Sequence, residues 1–105
     1  MSANLICQAI NSKPPHLIQF YYTGEAEHGI RIVEPHMVAD NTAGHLALSA
    51  WFTGGVSGSG EGQGWREYLL DSIGAVTVLK ETFAGTRPGY KPDGGKSFQN
   101  VQCAL

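Results

Sequence analysis

Residues 45–53 alternate with a period of two, and no other feature of this chain constrains its fold as much. Leu46, Leu48, Ala50 and Phe52 occupy one phase, and His45, Ala47, Ser49 and Trp51 the other. A period of two puts successive side chains on opposite faces of a strand. One face is therefore built for a core. The other has small residues between a histidine and a tryptophan, with room for something to lie across it. The same period returns in residues 64–70, where Arg66, Tyr68 and Leu70 oppose Trp65, Glu67 and Leu69. Ser72-Ile73-Gly74 then makes a corner, and Val76-Thr77-Val78 opens a further β-branched strand over residues 74–80.

The earlier part of the chain follows the same plan. Residues 16–23 form a first strand with Ile18, Phe20 and Tyr22 facing the core, Tyr22 at the rim with its ring buried and its hydroxyl in water. Residues 30–37 form a second, in which Ile30 and Ile32 alternate with Arg31 and Val33, and Pro35 marks an edge, a bulge or the end of regular pairing. Arg31 is either a solvated strand arginine or a pocket residue. Residues 24–29 and 40–44 are rich in turn formers and supply the reversals. Residues 3–11 carry a helical stripe of Leu5, Ile6, Ala9 and Ile10 and stop before Pro14-Pro15. A helix so short is marginal alone, so its stripe is expected to plug one end of a sheet.

The expected fold is mainly β: one domain over residues 1–105, with a short N-terminal helix and five strands bent into a small, partly open barrel over residues 16–83. An extended C-terminal tail covers residues 84–105. Its residues 97–105 are suited to an extra edge strand or to pairing with a second subunit. Fourteen glycines argue for short strands and turns and against a helical bundle. A net charge of -2 excludes a general coater of nucleic acid, which would be strongly basic. Any anion site must be local, and Arg66, Arg87, Lys91 and Lys96 permit a basic corner.

Two cysteines, Cys7 and Cys103, are too few for a disulfide framework. With no basic, apolar leader at the N-terminus and no apolar run of about 18 residues, the expectation is free thiols, a reducing cytoplasmic setting and no membrane contact; the alternative is an adventitious disulfide if the two ends meet in space.

The sequence announces no catalytic centre. Residues 54–64 hold glycines at positions 58, 60, 62 and 64, but neither the phosphate-loop nor the dinucleotide spacing is present. They read as a flexible hairpin loop able to close over a ligand. No serine sits in a nucleophile elbow. His28, Glu34, His36 and His45 lack metal-ligand spacing. The chain is expected to be non-enzymatic, without cofactor or metal. Arg87-Pro88-Gly89-Tyr90-Lys91 places two cations around one aromatic ring. That suits a phosphate beside a base, and equally a tail that packs Tyr90 onto the barrel.

Two further segments carry a family resemblance. Arg31-Ile32-Val33-Glu34-Pro35 resembles the R-x-V-x-P strand of WYL domains, and Arg66-Glu67-Tyr68-Leu69-Leu70-Asp71-Ser72-Ile73 resembles their R-x-F-x-L-D-R-I strand and corner. Ile18 to Tyr22 is similar to the preceding strand, which ends on an aromatic. Leu46-Ala47-Leu48 aligns with the eponymous tripeptide and keeps its leucine, while Ser72 stands where the family has arginine. The resemblance implies an SH3-type, Sm-like five-stranded barrel. Such domains are mostly bacterial and often follow a helix-turn-helix in transcription regulators. There they are thought to sense a ligand, in some cases single-stranded DNA or a nucleotide. Carried over, the groove would use Tyr22, Arg31, Ser49, Trp51 and Arg66, with His45 beside it.

The candidate ligand-binding set is therefore Tyr22, Arg31, His45, Ser49, Trp51, Arg66, Arg87 and Tyr90. The leading expectation is a ligand-sensing module for a nucleotide, short single strand or other anion in a regulatory context. The alternative is an assembly barrel that dimerises or docks on a transcription regulator. The two differ on whether Arg31, Arg66 and Trp51 share a face.

Overall fold

The computed structural model describes residues 2–55 and 62–105. The expected closure of the glycine loop over a ligand falls on residues 56–61, outside them. Helix α1 (Ser2–Asn11) is followed by strands β1 (His16–Tyr22), β2 (Gly29–Asn41), β3 (Leu46–Gly55) and β4 (Gly64–Leu69). A 3-10 turn at Leu70–Ser72 leads into β5 (Ile73–Thr82), and β6 (Phe98–Ala104) ends the chain. The fold is mainly β, as expected, but the described residues form six strands rather than five. They form one antiparallel sheet in the order β4-β3-β2-β1-β5, with β6 also on β2, and the sheet is not closed. No helix among the described residues is long and apolar enough to cross a membrane.

β2 organises the sheet. Its first half pairs with β1, from Tyr22↔Gly29 to Ile18↔Val33. Its second half pairs with β6, from Met37↔Ala104 to Asn41↔Phe98. β3 runs along its other edge, and the register slips by one residue between Pro35↔Ala50 and Met37↔Ser49. His36 is the extra residue of that bulge. Pro35 has no N–H to give the ladder, so a bulge is where a strand can tolerate it.

The core lies on one face of the sheet under α1. Ile18, Phe20, Val33, Val38, Leu48 and Ala50 are fully buried there with Ile6 and Ala9 of the helix. The helix stripe does plug the sheet, except that Leu5 stays exposed. Burying Ile6 and Ile10 contributes about 1.5–3 kcal/mol each, which offsets the marginal stability of so short a helix. A disulfide joins Cys7 of α1 to Cys103 of β6. The expectation of free thiols is thereby corrected: α1 docks against β6 and brings the two sulfurs together. Disulfides persist in oxidising compartments, so the cytoplasmic setting loses the support that free thiols gave it.

Candidate functional site

The expected site residues divide between the two faces of the sheet. Arg31 pairs with Phe20 and Arg66 with Ala50, so both project on the core side. Trp51 pairs with Glu34 and Trp65 on the opposite, outer side. The two arginines share a face, and Trp51 does not share it with them.

Arg31 is neither solvated nor a pocket residue. It is 1% exposed, and its guanidinium is occupied by its own hairpin. It donates to the carbonyls of Gly29 (3.1 Å) and Glu27 (2.7 Å) and reaches the Glu25 carboxylate at 3.4 Å. It also lies 5.7 Å from the Tyr22 ring centroid. Tyr22 is buried rather than at a wet rim: its hydroxyl accepts the Leu69 N–H at 2.9 Å. Burial pushes its phenol pKa up, and burial pushes the neighbouring Tyr68 up to about 12. Arg66 donates to the carbonyls of Trp65 and Gly62 and lies 5.3 Å from the Phe52 ring centroid. These arginines bond to backbone carbonyls of their own hairpins, with no ligand needed for those contacts. His45 is exposed at the β2–β3 reversal, where its N–H donates to Asn41 Oδ1 and its carbonyl accepts the Asn41 N–H.

The outer face is different. Here residues 83–98 cross the sheet, and the bulged His36, fully buried, is their anchor. Its Nδ1 lies 2.9 Å from the Glu34 carbonyl oxygen and its Nε2 3.1 Å from the Arg87 backbone N–H. A carbonyl can only accept and an amide N–H can only donate, so His36 is neutral with its proton on Nδ1. Burial pushes its pKa down, the more readily beside Arg87. The His36 carbonyl accepts the Tyr90 hydroxyl and the Leu105 N–H. Its ring stacks on Phe83 and meets the edges of Trp65 and Tyr90.

Arg87 is not available as a free phosphate contact. It forks onto the Glu34 carboxylate through Nε and Nη2, both at 2.8 Å. That bonding holds its pKa above the ordinary arginine value. Its guanidinium covers Trp51 at 5.0 Å from the ring centroid. The Trp51 indole N–H is buried without an acceptor among the described residues. Tyr90 stacks on Trp65 at 6.1 Å, and burial pushes its phenol pKa up. Tyr90 does pack onto the sheet, as one reading of the tail held.

Beside this cluster the outer face and the crossing segment enclose a groove of about 290 Å³. Met37, Ser49, Trp65 and Glu67 form its sheet side; Tyr90, Lys91, Ser97 and Phe98 form the other, and Arg66 borders it. Of the expected residues, Ser49, Arg66 and Tyr90 meet here, Trp51 and Arg87 lie behind the wall, and Tyr22, Arg31 and His45 are absent from it. Gly94 shapes the turn at φ +88°, where a Cβ would come 2.6 Å from the Phe98 carbonyl oxygen. Asn41 donates to Glu67 at 2.9 Å and orients that carboxylate. No group of three or more His, Cys, Asp or Glu side chains suited to a metal gathers among the described residues.

Sequence reasoning did not assign His36, Trp65, Glu67 or Phe98 to a binding site, and read Lys91 only as a cation beside Tyr90 suited to a phosphate. Pro35 was the available signal, because a bulge re-aims the side chain beside it. No protein-family model matches the chain, and no curated protein or solved structure does either.

Proposed function

We propose that this chain is a non-catalytic binding module whose site is the groove between the outer sheet face and residues 89–98. This is a ligand-sensing role of the kind the WYL resemblance implies, and the bent sheet is then a partly open barrel of SH3 or Sm type. The groove's lining carries the reading. Trp65, Tyr90 and Phe98 offer apolar rings to a planar ligand. Ser49 and the oriented Glu67 carboxylate offer acceptors to amino groups on its edge. Lys91 offers one cation to an attached phosphate. The ligand class is a nucleotide or a planar molecule of the same build. At about 290 Å³ the groove is at the small end of ligand sites, which run ~300–1,000 Å³. It fits one ring system rather than several nucleotides of a strand.

Binding of nucleosides, mononucleotides and inorganic phosphate, read by tryptophan fluorescence and thermal shift, tests this. Mononucleotides should bind more tightly than either part alone. Lys91→Ala should weaken the nucleotide by about 10–100-fold, a charge-assisted contact of ~1.5–3 kcal/mol, and leave the nucleoside unchanged. Binding of phosphate alone, or of none of the three, contradicts the proposal; the second outcome would favour a protein-docking module.

A further inference from the structure

We infer that His36 is a proton-sensitive latch that holds residues 83–98 against the sheet. The latch does not depend on the identity, or the existence, of a ligand in the groove. Its proton-sensitive contact is one acceptor: the unprotonated Nε2 that takes the Arg87 N–H. Protonation turns that acceptor into a donor, and two donors then face each other at 3.1 Å. The other ring nitrogen has no spare capacity, since it already donates to the Glu34 carbonyl. The ring cannot turn to water, because it is fully buried among Phe83, Trp65 and Tyr90.

The charges facing His36 do not welcome a second cation. β2 itself supplies the Glu34 carboxylate, which Arg87 already holds at both oxygens. The crossing segment supplies Arg87, a like charge, and the neutral Tyr90 phenol. β4 and the end of β5 bring Trp65 and Phe83, which carry none. Burial outweighs the pull of Glu34, so the neutral form persists below the ordinary histidine value of 6.5.

The segment is tied at both ends. Phe83 donates its N–H to the Pro15 carbonyl, and β6 is paired with β2 and joined to α1 by the disulfide. Losing the Arg87 N–H contact therefore loosens the middle of a strap, still held by the Arg87 fork on Glu34 and by the Trp65 indole N–H on the Pro88 carbonyl, rather than freeing a tail. Tyr90 and Lys91, which wall the groove, move with it.

Nuclear magnetic resonance on the full chain tests the latch. At pH 7.5 the His36 nitrogens should show the Nδ1–H tautomer. On acidification the Arg87 amide, the Trp65 indole N–H and the His36 ring should shift together, with one midpoint below 6.5 and unchanged far-ultraviolet circular dichroism. In His36→Asn that shared transition should vanish, and in His16→Gln it should remain. An Nε2–H tautomer at neutral pH overturns the inference, as does an Arg87 amide that does not follow the His36 ring in the unmutated protein.

Discussion

Removing Arg87 should cost far more than removing the charge it pairs with, although both changes disrupt the same bidentate pair. The Glu34 side chain is 7% exposed and that of Arg87 38%. Arg87→Ala leaves a buried carboxylate without its partner. Breaking a fully buried pair costs ~3–5 kcal/mol. Water reaches the open side of Arg87, so the figure is discounted to about 2–3 kcal/mol. Glu34→Gln leaves a neutral amide that still offers one acceptor, and Arg87 can turn to solvent, so the cost is about 1 kcal/mol. The double variant should recover about 1–2 kcal/mol of the sum, as contacting residues do. Urea unfolding with the disulfide intact reads all four corners of the cycle. With a slope of ~1–3 kcal/mol per molar, Arg87→Ala should lower the midpoint by about 1–2 M. Equal costs for the two single variants, or simple additivity, would refute the claim that Glu34 is the buried and Arg87 the wet partner.

Three further outcomes follow from the same packing. Arg31→Met should destabilise the protein by about 2–4 kcal/mol, because the buried Gly29 carbonyl and the part-buried Glu27 carbonyl lose charge-assisted donors worth ~1.5–3 kcal/mol when buried, while nucleotide affinity of the folded protein is unchanged; urea unfolding and binding together check it, and a stable variant that no longer binds would contradict it. Reduction of Cys7–Cys103, or Cys7→Ser with Cys103→Ser, should cost about 2–5 kcal/mol, since the bridge closes a loop of nearly the whole chain. Hydrogen exchange should then rise first in α1 and β6, and uniform loss of protection would contradict the placement of that staple. Burial raises the phenols of Tyr22, Tyr68 and Tyr90 above 10, Tyr68 to about 12. The folded state therefore holds those protons more tightly. The stability they contribute is complete below pH 10 and is lost as pH rises from there through 12, so ultraviolet titration should show late, unfolding-linked ionisation of these three phenols rather than three independent ones.

The alternation of single strands was legible in the sequence; the relation between strands was not. Leu48, Ala50 and Phe52 face the core as their period requires, and so do Ile18, Phe20 and Tyr22. Which phase of β2 joins them depends on the bulge at His36, a register shift that period-two reasoning cannot carry across a turn. Arg31 shows the consequence. Its phase is inward while the apolar Ile30 is outward and 39% exposed, because the hairpin carbonyls of Gly29 and Glu27 satisfy a buried guanidinium. Those acceptors are backbone atoms, invisible to a reading of side-chain types. Tyr90 and Arg87 were recognised as a chemical pair, but their partners Trp65, Glu34 and His36 lie more than twenty residues away. The disulfide turned on the same kind of relation, whether two cysteines 96 residues apart meet in space.

The most direct test is to map amide shifts as a mononucleotide is titrated into the protein at pH 7.5 and moderate salt. Binding in the groove requires saturable shifts confined to Ser49, Trp65, Glu67, Tyr90, Lys91 and their neighbours, lost in Lys91→Ala. Shifts centred instead on Tyr22, Arg31 and the β1–β2 hairpin, or none at millimolar nucleotide, would contradict it.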